Sequence, residues 1–271
     1  MNLLAMFAHP DDEAFSCGGT LAKAAAAGHT VSLVCTTRGE EGEIVHPDID
    51  PDPYPKGDAR GKLREEELTA TCRALGINPP IFLDYHDSGF PTTVGEKNPR
   101  SFMNASLETV ERQLLDHIAR LKPDVMITFD PHGGYPHIDH ITIHRAAIAA
   151  FWSAGSVMQP APKRLFFPAR SSEEVAAAKA GSTSTTVQNV HPELHGVSPD
   201  SFAAVIDVSA FVNQKKAAMF AHRSQFGPEE RVEKMLDSRP QMLQEEAFVL
   251  GGLRGSFPEM PVTDLFTGLE A

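Results

Sequence analysis

Basic residues are scarce in this chain. Lys and Arg together number 24 against 36 Asp and Glu, a formal net charge of −12. That balance argues against a nucleic-acid partner, because backbone phosphates are held by clustered cations. The acidity serves solubility and identifies no substrate. Cysteine is also rare. Cys17, Cys35 and Cys72 are an odd number without short paired spacing, which excludes a disulfide framework. Lying in apolar segments, they read as small buried residues of a reduced, cytoplasmic protein. No apolar run approaches the roughly 20 residues that span a bilayer. The opening MNLLAMFAHPDDE lacks a basic leader and meets charge early, so it does not read as a signal peptide. No GxGxxG follows the first apolar segment, which removes the usual cradle for a pyrophosphate. Internal repeats are absent too.

What remains is ordinary globular material: 271 residues, 41% hydrophobic and 22% charged. That length fits one α/β domain over 1–271, with a core at about 1–155 and a less regular C-terminal extension at about 156–271. In the first half, short apolar runs alternate with amphipathic stretches, the pattern of βαβ units around a mostly parallel sheet. Strands are expected at 2–8, 31–36, 81–85 and 125–130, and helices at 18–27, 58–75, 105–121 and about 139–153. A polar loop at 37–56 is long enough to suggest function, and 86–104 is another long loop. Further on, 164–168 and 203–208 read as strands and 172–180, 211–223 and 228–247 as helices. The Ser/Thr/Pro/His-rich stretch 181–201 reads as a lid or excursion, within which His191 and His195 receive no role.

The strongest chemical signal is His9-Pro10-Asp11-Asp12-Glu13, directly after the first strand. Loops at the carboxyl ends of parallel strands are where α/β proteins place ligands. One His and two Asp within four positions can supply a nitrogen ligand, a carboxylate ligand and a spare carboxylate as general base. An ordinary polar turn with an Asp helix cap would also explain the run. A second cluster shifts the balance: His132-Gly133-Gly134-Tyr135-Pro136-His137-Ile138-Asp139-His140 follows the strand at 125–130. In a parallel sheet both loops emerge on one edge. His9, Asp12 and His140 then satisfy the three-ligand count of a catalytic zinc with one open position. His144 lies one helical turn past His140, but lacks the Glu a zincin helix needs and reads as packed; His132 reads as a loop residue.

These residues carry a family resemblance. AHPDDE at 8–13, GGTLA at 18–22, TRGEEGE at 37–43, Arg64-Glu65 with ALG at 74–76, LDYHDSG at 83–89 and HGGYPHIDH at 132–140 occur in order. The chain resembles the LmbE-like (PIG-L) superfamily of N-acetylglucosaminyl deacetylases, clearly over about 3–150 and loosely in the tail, where HRSQ at 222–225 is a weaker match. In motif it is closest to the mycothiol-pathway type. The resemblance implies a Rossmann-like α/β fold and a metal at the carboxyl edge of the sheet, zinc or, in the cell, iron. It implies His9, Asp12 and His140 as ligands, Asp11 as general base and His137 as an aid to the oxyanion or the leaving group. Asp139 would orient His137 or a neighbouring ligand, and Tyr135 would approach the oxyanion. Arg64 and Asp87 would hold sugar hydroxyls, although Asp87 also fits an Asx turn.

The chemistry agrees. Amide hydrolysis at neutral pH needs an activated water and an oxyanion stabiliser, and a preorganised donor such as protonated His137 or Tyr135 would add to the latter. Either His137 or Asp11 could protonate the leaving amine. Glu40, Glu41 and Glu43 read as a solvated loop, and Glu65 and Glu66 as surface ion-pairing residues. His222 and Gln225 read either as a pocket wall or as a helix end. The expected activity is a zinc-dependent N-deacetylase acting on a small N-acetylated sugar, with a homo-oligomer compatible with the apolar tail. The alternatives are an amidase of thiol conjugates on the same site, and a non-catalytic sugar- or metal-binding protein.

Overall fold

The fold is known from a computed structural model that describes residues 1–90, 92, 95–181 and 190–269. Strand β1 (Asn2–Phe7) is the reason a sheet forms where it does. Leu3 to Ala8 are all but fully buried, the continuous apolar run of a strand covered on both faces. β1 pairs in parallel with β2 (Thr30–Cys35) on one side and with β4 (Val125–Ile127) on the other. With β3 (Ile81–Phe82), β5 (Arg164–Ala169), β6 (Ala204–Asp207) and β7 (Glu245–Leu253), the order among the described residues is β3-β2-β1-β4-β5-β7-β6. Only β7 runs antiparallel to its neighbours. The expected mostly parallel, Rossmann-like α/β sheet is present.

This order places a switch point between β1 and β4. The chain leaves β1 towards β2 through α1 (Asp12–Ala26), and returns from β3 through α3 (Leu107–Leu121) to β4 on the opposite side. With right-handed crossovers the two helices cover opposite faces, and the loops after β1 and β4 diverge to leave a crevice. Helix α2 (Asp58–Leu75) has the bounds the sequence indicates, closed by Gly76 at φ 72°. Helix α4 (Ile138–Val157) starts inside the second cluster.

Several expectations needed correction: the strands expected at 81–85 and 125–130 are shorter, Ile81–Phe82 and Val125–Ile127, and the helix expected at 211–223 is Val212–Ala221 followed by Arg223–Phe226. The first helix begins at Asp12 rather than Gly18, with a break at Cys17 (φ −155°, ψ 23°), so Gly18 opens its second segment. The stretch 228–247 is not one helix. It is a helix at Glu229–Asp237, a 3-10 turn at Pro240–Leu243 and then β7, which lies between β5 and β6. Two glycines made that strand illegible. They are required because aromatic rings lie on its backbone: a Cβ on Gly251 would fall 2.1 Å from Phe167, and one on Gly252 would fall 2.5 Å from Phe151.

β7 also ties the sheet to α1. The Glu246 carboxylate accepts from the amides of Gly19 (3.0 Å) and Thr20 (2.7 Å), the open start of the second segment of α1. Lys215 Nζ neutralises it at 2.6 Å, and both side chains are buried. Three strands of the sheet, β5, β6 and β7, come from beyond residue 155. Cys17, Cys35 and Cys72 are free and buried, and no helix among the described residues is long and apolar enough to cross a membrane. Of the stretch 181–201, residues 182–189 lie outside those described, and 192–195 form a short helix.

Candidate metal centre and active site

The loops after β1 and β4 meet at the switch point as the parallel sheet required. His9 Nδ1 lies 3.0 Å from His140 Nε2, and the Asp12 carboxylate is 3.4 Å from His140 Nε2 and 3.8 Å from His9 Nδ1. All three side chains are buried. The remaining ring nitrogens fix the tautomers, read from their partners. His140 Nδ1 donates to the Gly133 carbonyl at 2.8 Å, leaving a lone pair on Nε2. His9 Nε2 faces Asp139 at 3.2 Å and Asp87 at 3.3 Å, so it carries the hydrogen and Nδ1 carries the lone pair. Two lone pairs and a carboxylate therefore point at one another. That arrangement is repulsive unless a cation lies among them. Asp12 meets the two rings through different oxygens, Oδ1 towards His140 and Oδ2 towards His9, and Oδ2 also accepts from the His9 amide at 2.8 Å. Although burial opposes it, Asp87 and then Asp139 hold His9 well above the ordinary histidine range, so that without a metal a proton on Nδ1 supplies the cation and donates to His140.

Two groupings among the described residues place all their ligand atoms within 4.8 Å of one another, His9 with His137 and His140, and His9 with Asp87, His137 and Asp139, and Asp12 is in neither. Both need His137, whose Nδ1 already accepts from the Asp139 amide at 3.2 Å as the cap of α4. The second also needs His9 to turn its hydrogen-bearing nitrogen into a ligand. His9 and His140 belong to the first grouping, and Asp12 lies beside their facing nitrogens.

Asp11 stands beside this set in a strained turn. Its φ of 118° lies where residues other than glycine are uncommon, at a cost of about 1–3 kcal/mol. Burial, opposed by Arg64 at 3.1 Å, pushes its carboxyl up to about 6. His137 packs edge-on against His9, with ring centroids 4.6 Å apart. Burial, with the positive charge of His9 next, lowers it to about 3. His137 is thus a neutral imidazole with its hydrogen on Nε2, which corrects the expectation of a protonated donor.

Residues 4–151 match the PIG-L family, described as GlcNAc-PI de-N-acetylase. The chain belongs to the PIG-L family. It is 37% identical over 231 residues to a 1D-myo-inositol 2-acetamido-2-deoxy-alpha-D-glucopyranoside deacetylase of Acidothermus cellulolyticus, covering 83% of this chain and 79% of that one. A protein of the same description from Rhodococcus jostii is 34% identical over 98% of both chains. Among solved structures, the conserved protein TT1542 of Thermus thermophilus is similar, with a TM-score of 0.60 and 26% identity over 95% of this chain and 97% of that one.

Around the centre of this PIG-L chain, Asp139 takes the second of its two expected places. The Asp139 carboxylate faces His9 rather than His137, and is held by the amide and hydroxyl of Ser88. Asp87 meets the Asx-turn reading, bonding the Gly89 amide at 2.8 Å, and it also faces His9. Arg64 is buried, donating to the carbonyls of Gly39 and Pro10 and to Asp11. Tyr135 packs 4.8 Å from the His140 ring, and burial raises its hydroxyl, so it stays a donor. His144 is a packed residue, its Nδ1 bonded to the Phe129 carbonyl at 2.7 Å. His132 sits in the exposed loop against the His195 ring.

The solvated-loop reading fails for Glu40 and Glu41. Glu40 is buried and accepts from the amides of Arg38 and Asp87. Glu41 pairs with His86 at 2.9 Å. Glu43 does meet solvent, paired with Lys56, and Glu65 makes the expected ion pair, with Arg38. Sequence reasoning missed Ser88, His86 and Glu13 as neighbours of the site. All three lie inside quoted motifs, Glu13 in AHPDDE and His86 and Ser88 in LDYHDSG, where they received no role.

Proposed function

We propose that this chain is a metal-dependent N-deacetylase of N-acetylglucosamine conjugated to a small polyol, the class of compound that the named relatives' descriptions specify. The observation that carries the reading is the facing trio of His9 Nδ1, His140 Nε2 and the Asp12 carboxylate, with the Asp11 carboxylate beside it. Those three side chains would hold zinc, or iron in the cell. The ion would supply Lewis acidity for the acetyl carbonyl and for water.

Each remaining step belongs to a side chain. Asp11, 23% exposed at its side chain, takes the proton of the attacking water. His137 donates from neutral Nε2–H to the developing oxyanion, and the Tyr135 hydroxyl adds a second donor. A histidine lowered to about 3 is a poor proton carrier at neutral pH, so Asp11, at about 6, returns its proton to the leaving amine. Asp139 orients His9. Arg64 and Asp87, both buried, position Asp11 and His9. The small-molecule substrate, a cytoplasmic setting for the three thiols and a single domain over 1–271 belong to the same proposal.

The test incubates metal-loaded protein with a panel of N-acetylglucosaminyl compounds, including the inositol conjugate, and measures primary amine. Chelated protein and Asp11→Asn run in parallel. Release confined to the untreated protein supports the reading. Intact substrates in the presence of one tightly bound metal per chain would sink it.

A further inference from the structure

Beneath Asp11 lies a pair that the proposed chemistry does not use. His222 Nε2 donates to Glu13 Oε1 at 2.7 Å, and the other Glu13 oxygen accepts from the Asp11 amide at 3.2 Å. Glu13 is 1% exposed and His222 is 0%. A first-turn glutamate usually lies in solvent, where the helix dipole alone favours it. This one is sealed under the loop with a histidine from the far half of the chain as its partner. His222 Nδ1 has no partner among the described residues. A buried polar side chain left half satisfied is poorly explained as filling for the core.

We propose that Glu13 and His222 are positioning residues for the deacetylation, holding Asp11 in its strained turn so that its carboxylate points at the metal centre. The proposal rests on Asp11 being the general base. A backbone at φ 118° persists only where its surroundings over-determine it, and the contact that meets the Asp11 amide is the Glu13 carboxylate. That carboxylate has two oxygens, and His222 fixes the second. His222 is immobilised in turn. Two residues on, Ser224 donates its amide and hydroxyl to Glu67 of α2, at 2.8 and 2.7 Å. Gln225 donates to the Glu43 carbonyl at 2.9 Å, and the Val45 amide donates to the Ser224 carbonyl at 2.8 Å. Arg64, on α2 three residues before Glu67, holds the Asp11 carboxylate. The backbone and the carboxylate of Asp11 are therefore both set from one rigid group, α2 with the 222–225 turn. The HRSQ run thereby acquires a role, buttressing the base without touching substrate.

The test compares kcat, KM, bound metal and melting temperature for His222→Leu, His222→Gln and Glu13→Gln, and repeats His222→Leu on Asp11→Asn. Displacing a general base by an ångström costs roughly 10²-fold. His222→Leu should lose about that in kcat, with KM within about threefold and one metal per chain retained. His222→Gln, which still donates to Glu13, should recover most of the loss. On Asp11→Asn, His222→Leu should add nothing, because its effect passes through Asp11. Unchanged kcat, an equal loss on both backgrounds, or loss of metal instead of kcat would each overturn the pair's role. Should His222→Leu not fold, Glu13→Gln carries the same comparison. Full activity in Asp11→Asn alone would overturn both the base assignment and this proposal. An inactive Asp11→Asn beside a fully active His222→Leu would overturn this proposal only.

Discussion

Both halves of this chain bury charge, but they leave it in different states. Beyond residue 155, Lys215, Glu246 and Arg164 bury their charges against partners within the protein, although Arg164 Nε and His222 Nδ1 have none among the described residues. Lys215 closes on Glu246, which also accepts from two amides of α1. Arg164, fully buried, donates to the carbonyls of Leu265 and Thr267 and lies over the Phe257 ring. Before residue 155, His9, Asp12 and His140 face one another with lone pairs and negative charge directed inward. The C-terminal charges stabilise a shape, whereas the N-terminal ones are left short of one positive partner. Where a fold leaves bonding capacity unspent, it can bind and react.

Experiments that separate activity from stability probe this difference directly. The largest effect is expected in the first half: Asp11→Asn should lower amine release by about 10²- to 10⁴-fold, with thermal unfolding nearly unchanged. A parallel loss of stability would mean that the Arg64–Asp11 pair holds the fold in the way the C-terminal pairs do. Next comes Lys215→Met, which leaves Glu246 buried without its cation and should cost about 3–5 kcal/mol in urea unfolding. The folded fraction should keep its kcat, and a kcat that falls while stability holds would break the division between the halves. Gly251→Ala drives a methyl into the Phe167 ring and should cost about 1–3 kcal/mol, again without touching kcat.

The smallest effect is in pH. Asp11 accepts a proton only when ionised, and burial raises its carboxyl to about 6. Activity should therefore be complete above that value and fall, tending to about tenfold per unit, as pH drops through it. A pH–rate profile checks this, and a limb at the ordinary carboxylate range near 3.9 would remove the argument from burial.

Legibility followed locality. β1, α2 and both loop clusters could be read because apolar periodicity and tightly spaced ligands are properties of short segments. His9 and Asp12 share one turn, and His140 opens a helix after a strand, so the parallel sheet did the rest. β7 was misread because its glycines answer to Phe167 and Phe151, residues about a hundred positions away. Glu40 and Glu41 looked solvated because nothing nearby reveals that the amide of Asp87 and the ring of His86 would cover them. The orienting role of Asp139 could be assigned between His137 and a ligand only by seeing where its carboxylate points.

By itself the sequence determined the α/β class, the two loops that carry the chemistry and the membership in the PIG-L family. Each of these rests on residues close together in the chain. The tertiary structure alone decided that His137 is neutral, that β7 threads the sheet beside β5, and that Glu13 meets His222. Those depend on burial and on contacts between segments far apart in the chain. Desolvation and Coulomb interaction act through space, and the linear order of residues does not record distance.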